Sequence, residues 1–354
     1  MNSQLIIKTA ALGDVLRTAS ILPGLKERYR DCSITWLTAT GAVDLVSTNP
    51  LIDRVVAVDA GSQKSVDDIT LRLGSTRWNH IISLDDEVAL CGLASRLTCD
   101  ELSGAYLSDD GRRVYTPDVA PWFDMGIISV YGKERADELK VLNQKSHPQI
   151  YADMLGIKMG KPRLLLTDET RANAERFSRS HSLEGRHPLI GLNTGAGGRW
   201  VSKQLSVERT IELARMVSSE QTQKPTFVVF GGPPEVERNK SIIAGLTAAG
   251  LACVDAGNNN ALLNFAGLVG LCDLLVTSDS LALHIALALD VRVVAFFAPT
   301  SAAEIELYGL GEKIASTAAD YCSYRADADN STITPERLTP CVLRQLQLSA
   351  KAQG

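Results

Sequence analysis

Short apolar and β-branched runs alternate along the chain with segments whose apolar positions recur every three or four residues. This is the pattern of parallel strands joined by crossover helices, an α/β class. In the first half, Leu5 to Lys8, Ser33 to Leu37, Arg54 to Val58 and His80 to Leu84 are predicted strands. Asp14 to Tyr29, Ala42 to Ser47 and Glu87 to Leu97 are predicted helices. Val15, Leu16, Ala19, Leu22 and Leu25 form one stripe on the first helix, and Pro23 within it predicts a kink or a break.

The second half repeats the alternation more clearly. Strands are predicted at Leu189 to Leu192, Thr226 to Phe230, Ala252 to Asp255, Leu274 to Thr277 and Val291 to Phe297. Helices are predicted at Asp168 to Ser180, Ser206 to Ser218, Pro234 to Leu246, Ala261 to Leu271 and Ser280 to Leu289. Between the halves, from about 111 to 149, the periodicity weakens, and Pro148, Gly156, Gly160 and Pro162 punctuate a linker near 158–167. The predicted division is a Rossmann-like domain over 1–163, a second over 164–334, and a C-terminal helix within 335–354 that can pack back on the first. Thr334 as N-cap and Pro335 at the first helical position mark that helix's start.

Composition narrows the class. At 354 residues, 45% hydrophobic and 22% charged, the chain suits two globular α/β halves. A net charge of -5 argues against nucleic acid as a partner, because such binding needs many basic contacts to phosphates. Seven scattered cysteines without a C-x-x-C indicate neither a disulfide framework nor a zinc knuckle, and fit a reducing compartment. The opening run Leu5-Ile6-Ile7 follows no signal-peptide pattern, so a cytoplasmic location is expected. The apolar stretches 261–276 and 281–298 are interrupted by polar and charged residues. Neither is an uncharged bilayer span, so any lipid partner would be met at the membrane surface.

Open α/β sheets bind ligands beyond the carboxyl ends of their strands, so the loops there carry the candidate chemistry. The first such loop, Thr9-Ala10-Ala11-Leu12-Gly13-Asp14, combines a glycine permitting close approach with a carboxylate at a helix start. Asp14 there is a cap, a general base or both. The second, Asn193 to Lys203, carries Thr194, Gly195, Gly197 and Gly198, whose amides can form an anion nest, with Arg199 and Lys203 as cations for a diphosphate. It has neither the Walker A spacing nor G-x-G-x-x-G, which disfavours a nicotinamide oxidoreductase. The third, Thr277-Ser278-Asp279-Ser280-Leu281-Ala282, ends a strand in small hydroxyl residues and opens a helix whose free amides can receive phosphate oxygens. Asp279 or Ser280 serves equally as a simple cap, and His284 is by default a core histidine. Glu235, just past Gly231-Gly232, can bond ribose hydroxyls or complement a helix dipole, with nothing to choose between them.

Together these segments resemble glycosyltransferase family nine, the heptosyltransferases of lipopolysaccharide assembly. Ile7 to Val15 is similar to the family's opening strand and catalytic loop, and Ile190 to Ala196 with Lys203 to its donor-phosphate loop. Gly231-Gly232 with Glu235, Thr277 through His284, and Phe297-Ala298-Pro299-Thr300 match further donor-side segments in the same order. The resemblance implies a GT-B arrangement of two facing Rossmann-like domains, acceptor in the first and donor in the second. It also implies inverting, metal-independent transfer of a heptose from ADP-heptose, with no further cofactor. Asp14 would take the acceptor's proton, while Lys203 and the amides of 280–282 stabilise the departing diphosphate. Ser280-Leu281-Ala282-Leu283 departs from the family's usual Thr-Gly-Pro/Ala-Met/Leu.

In the 111–145 region, Lys133 and Arg135, with Gly13 on the first loop, are candidates for holding a saccharide or glycolipid acceptor. A solvated helical face explains each cation as well, and Trp122 and Phe123 suit either a sugar platform or the core. Two other functions remain open: a glycosyltransferase using another nucleotide sugar, and a sugar-binding module without chemistry.

Overall fold

The computed structural model describes residues 2–195, 197 and 200–353. Chain contacts divide it into two compact units that meet at Leu165 and Leu166, two residues from the expected boundary. Each unit holds one six-stranded sheet.

In the first unit the strands are β1 (Ser3–Ile7), β2 (Ser33–Ala39), β3 (Arg54–Val58), β4 (Trp78–Ser83), β5 (Cys99–Leu107) and β6 (Arg113–Tyr115). Their order is β3-β2-β1-β4-β5-β6, parallel throughout except for the antiparallel β5–β6 pair. Strands β1, β2 and β4 are buried along nearly their whole length, as a sheet covered on both faces requires. Leu5, Ile7, Leu37, Val56 and Ile81 pack on one side against Val66, Ile69 and Leu73 of helix Gln63–Gly74 and Leu90 and Leu93 of helix Val88–Arg96. Pro23 acts as expected: helix Leu12–Thr18 passes through a 3-10 turn at Ala19–Ile21 into helix Leu22–Arg28, where the proline occupies a first-turn position.

In the second unit the strands are β7 (Leu189–Asn193), β8 (Thr226–Val229), β9 (Cys253–Asp255), β10 (Leu274–Ser278), β11 (Arg292–Phe297) and β12 (Gly311–Ala315). The order β12-β11-β10-β7-β8-β9 is wholly parallel and repeats the topology of the first sheet. Both units are thus of the dinucleotide-fold type that makes up the GT-B class. The C-terminal helix, Pro335–Gln353, falls within the second unit, and its apolar stripe is not left to solvent. Leu338, Val342 and Leu346 instead join Leu192, Val276 and Val294 in the core of the second sheet, beside Leu213 and Val217 of helix Val207–Glu220. Truncating one of these leucines to alanine would cost about 2–5 kcal/mol, which is why the helix follows its apolar stripe. Among the described residues no helix is long and apolar enough to cross a membrane.

Candidate active site

In each sheet the chain steps outward in both directions from a central pair, β1/β4 in the first and β7/β10 in the second. Loops leaving such a pair diverge, and ligands bind in the gap.

At the first pair, two opposite charges close the strand ends. Lys8 Nζ lies 2.5 Å from Asp85 Oδ1, with side chains only 10% and 2% exposed. The other carboxylate oxygen, Oδ2, accepts the Thr9 amide at 2.5 Å and the Thr9 hydroxyl at 2.8 Å. Trp36 Nε1 donates to the Lys8 carbonyl at 3.2 Å. A buried ion pair is tolerable when further hydrogen bonds satisfy its remaining lone pairs, and here they do so while anchoring the loop's first residues. The sequence pattern alone does not mark Lys8 and Asp85 as site residues. Their signal was a charge at the carboxyl end of each of two apolar strands.

The loop then enters helix Leu12–Thr18, whose cap position is Ala11, extended and without a side-chain cap bond. Asp14 is therefore a first-turn residue rather than the N-cap, with Gly13 beside it. Its side chain is 38% exposed and pairs with Arg17 Nη2 at 2.9 Å, and Arg17 is itself only 12% exposed. The Arg17 guanidinium stands 5.7 Å from the centre of the Trp122 ring. Trp122 meets His147 and Tyr151 edge-on at 5.0 and 5.3 Å, and Phe123 is buried and stacked on Tyr115. Lys133 and Arg135 lie on helix Lys133–Leu142, far more exposed, and pair within it with Asp137 and Glu138. That is the geometry of a solvated face, worth a few tenths of a kcal/mol per pair.

At the second pair the polar groups converge. Asn193 Nδ2 donates to the hydroxyls of Thr277 at 3.1 Å and Ser280 at 3.3 Å, and those two hydroxyls are 3.0 Å apart. Ser280 holds the cap position of helix Leu281–Ala288 without a side-chain cap bond, because its hydroxyl is turned to Asn193 and Thr277. Lys203 Nζ donates to the Asp279 carbonyl at 2.9 Å and to its Oδ2 at 3.0 Å, while standing 5.6 Å over the Trp200 ring. His284 is buried as a core histidine would be, yet its Nε2 lies 3.9 Å from Asp279 Oδ1 and so borders the same cluster. Lys203, Asp279, Ser280, Leu281, Ala282 and His284 thus gather at one strand edge.

The remaining predicted donor residues hold the loop rather than face out from it. Thr194 is fully buried, its hydroxyl accepting from Arg238 at 2.9 Å and from Thr210 at 3.1 Å. Glu235 is 3% exposed. Its Oε1 accepts the Gly197 amide at 2.5 Å and its Oε2 the Gly232 amide at 2.8 Å, so both oxygens serve backbone. Gly195 is required by this packing, since a Cβ there would fall 2.5 Å from Glu235 Cγ. Arg238 also donates to the Leu205 carbonyl, and burial pushes its pKa down against the opposing pull of Glu235 and Glu208. Its role was missed, although Glu235-x-x-Arg238 at a helix start places both on one face. Arg199, Ala196 and Gly198 lie outside the described residues.

All seven cysteines are free thiols in this structure. Among the described residues no three metal-ligating side chains gather into a site.

Glycosyltransferase family 9 (heptosyltransferase) matches residues 133–334, more than half of the chain. The lipopolysaccharide heptosyltransferase 2 of Salmonella typhimurium is 32% identical over 125 residues, which cover 34% of this chain and 34% of that protein. The chain thus spans about a third of that curated relative's length in the match. Among solved structures, a glycosyl transferase family 9 protein of Veillonella parvula superposes with a TM-score of 0.78 at 18% identity, over 98% of this chain and 97% of the other. The ADP-heptose lipopolysaccharide heptosyltransferase II of E. coli gives 0.67 at 20% identity, over 99% and 100%.

Proposed function

Because the chain belongs to glycosyltransferase family 9, we propose that it transfers a heptose from ADP-heptose to a saccharide acceptor such as the lipopolysaccharide inner core. The reaction is inverting and needs no metal ion. The Salmonella and E. coli relatives, named for heptosyl transfer in lipopolysaccharide assembly, support the donor and acceptor classes. Such an acceptor places the work at the cytoplasmic face of the inner membrane, through peripheral contact.

The observation that carries the reading is Lys203 fixed on Asp279 at the opening of helix Leu281–Ala288. It sets an ammonium beside a helix N-terminus, at the edge shared by β7 and β10. Both attract an anion. In the reaction, the acceptor oxygen bonds to the anomeric carbon as the bond from that carbon to the diphosphate breaks. The acceptor's proton passes to the Asp14 carboxylate, and the leaving electron pair ends on the diphosphate. Lys203 and the amides of residues 280–282 stabilise that charge, a contribution worth about 10²–10³ in rate for one such group. Attack from the face opposite the leaving group inverts the anomeric configuration. Thr194, Glu235 and Arg238 act at one remove, by holding the phosphate loop.

Calorimetric titration of the full chain with ADP, UDP and GDP tests the donor. ADP is expected to bind, and Lys203→Ala to weaken it. Binding of UDP or GDP without ADP would assign another nucleotide sugar, and binding of none would leave the sugar-binding module standing. Mass spectrometry of a heptose-deficient core incubated with ADP-heptose then identifies the product.

A further inference from the structure

We propose that Arg17 is the positioning residue for Asp14, and that the face of Trp122 holds it there; this rests on the reading of Asp14 as the base. An i,i+3 pair on an exposed helix surface is loosely held and contributes little. This pair differs, because the guanidinium side chain is 12% exposed while the carboxylate it holds is 38% exposed. The cation is therefore the anchored partner and the anion the presented one.

What anchors the cation comes from the part of the first unit that carries no regular sequence period. Trp122 belongs to the short helix Ala120–Phe123. It lies with Arg17 within cation–π distance at 5.7 Å. Its edge contacts at 90° to His147 and Tyr151 fix the indole, and those two rings, 3.9 Å apart on helix His147–Leu155, are buried at 0% and 1% exposure. Four contacts therefore run from a fully buried aromatic platform through Trp122 and Arg17 to the Asp14 carboxylate. Behind the same loop, the Lys8–Asp85–Thr9 network holds the backbone. Orientation of a reacting group is worth a great deal, since a misplacement of about 1 Å costs about 10²-fold in rate.

The test follows ADP release from ADP-heptose with a heptose-deficient lipopolysaccharide core, on the full chain. Arg17→Gln is expected to lower kcat about 10- to 100-fold, with the dissociation constant for ADP unchanged. Arg17→Lys should recover part of the loss, and guanidinium ion should restore part of it in Arg17→Ala. Trp122→Leu should lose more than Trp122→Phe, which keeps a ring face. Combined with Arg17→Gln it should add little further loss, because both act along one path.

A kcat within twofold of wild type in Arg17→Gln, or losses that multiply in the double variant, overturns the proposal. Should Arg17→Gln fail to fold, judged by circular dichroism, Arg17→Lys and the guanidinium rescue decide it: no intermediate rate and no rescue overturn it. Asp14→Asn run in parallel separates the two ideas. An active Asp14→Asn removes the base and this proposal with it. An inactive Asp14→Asn beside a fully active Arg17→Gln removes only the positioning role. A wild-type chain that releases no ADP removes the donor reading first.

Discussion

The two strand edges that bear the candidate residues share one strand order and close in opposite ways. In the first unit the ion pair, Lys8–Asp85, is buried beneath the loop and the Asp14 carboxylate stands apart from it, on the helix that follows. In the second, the ion pair is the candidate site: Lys203 and Asp279 are 16% and 17% exposed and link the two loops at the sheet's switch point. There the buried support is supplied by Glu235 and Arg238 from beyond the neighbouring strand, β8. Strand order decides where a site can lie. What each loop buries decides whether that site offers a proton acceptor or an anion clamp.

Substitutions at the two edges can break this comparison. The largest effect is expected from Asp14→Asn, a loss of about 10²–10⁴ in kcat with ADP affinity intact by calorimetry. Loss of ADP binding in that variant would erase the division of labour between the edges.

Next comes Asp85→Ala, which strands the Lys8 ammonium in a dry site and should cost about 3–5 kcal/mol in denaturant unfolding. Asp279→Ala removes the partner of a somewhat more exposed cation and should cost less, about 1.5–3 kcal/mol in the same measurement, while weakening ADP binding. Equal stability losses from the two would contradict the contrast between a buried support and a presented clamp.

Gly195→Ala sharpens the second edge further. Its Cβ would meet Glu235 Cγ at 2.5 Å, and relieving that overpacking costs about 1–3 kcal/mol. The loop would carry the strain, so ADP affinity should fall about tenfold while Asp85-dependent stability of the first unit stays unchanged.

The smallest effect is electrostatic and lies away from both edges. Glu312 on β12 bonds Arg344 of the C-terminal helix, which lowers its pKa from 4.5 to about 2. A depressed folded-state pKa stabilises fully above pH 4.5 and loses that contribution as pH falls through about 2. Glu312→Gln should therefore flatten the acid limb of stability between those values, modestly, because Arg344 is 55% exposed and solvent screens the pair. In the first unit the Lys26 ammonium and the Ile34 amide likewise hold the Asp53 carboxyl low, so Lys26→Gln should act there with the same sign.

Much of this was legible along the chain. The strand runs at β1, β2, β4, β7, β8, β10 and β11 announce themselves through apolar residues in short stretches, because a parallel sheet buried on both faces demands them, while β3 and β9 are legible although only partly buried. The misses have local causes. β5 begins Cys99-Asp100-Glu101, with its acidic side chains outward, and contains Gly104 where a Cβ would fall 1.9 Å from the Ser83 carbonyl oxygen. Its pairing with β4 makes it a strand, and an alternation argument does not see that. Helix Gln63–Gly74 buries only Val66, Ile69 and Leu73 and leaves Leu71 in solvent, which blurs its period, though the Ser62 side chain caps it by accepting from the Ser65 amide at 3.3 Å. β12 is a short edge strand with a single buried position.

By itself, then, the sequence determined the α/β alternation, the two halves, and the loops bearing Asp14, Lys203 and Asp279, since each follows from spacing within a few residues. Only the tertiary structure decided what those loops lean on. Lys8 finds Asp85 77 residues away, Glu235 spends both oxygens on the amides of Gly197 and Gly232, and Arg17 reaches the ring of Trp122. The reason is physical: hydrophobic period is a property of neighbours along a helix or strand, whereas the partner of a buried charge is chosen by which strands the topology sets side by side.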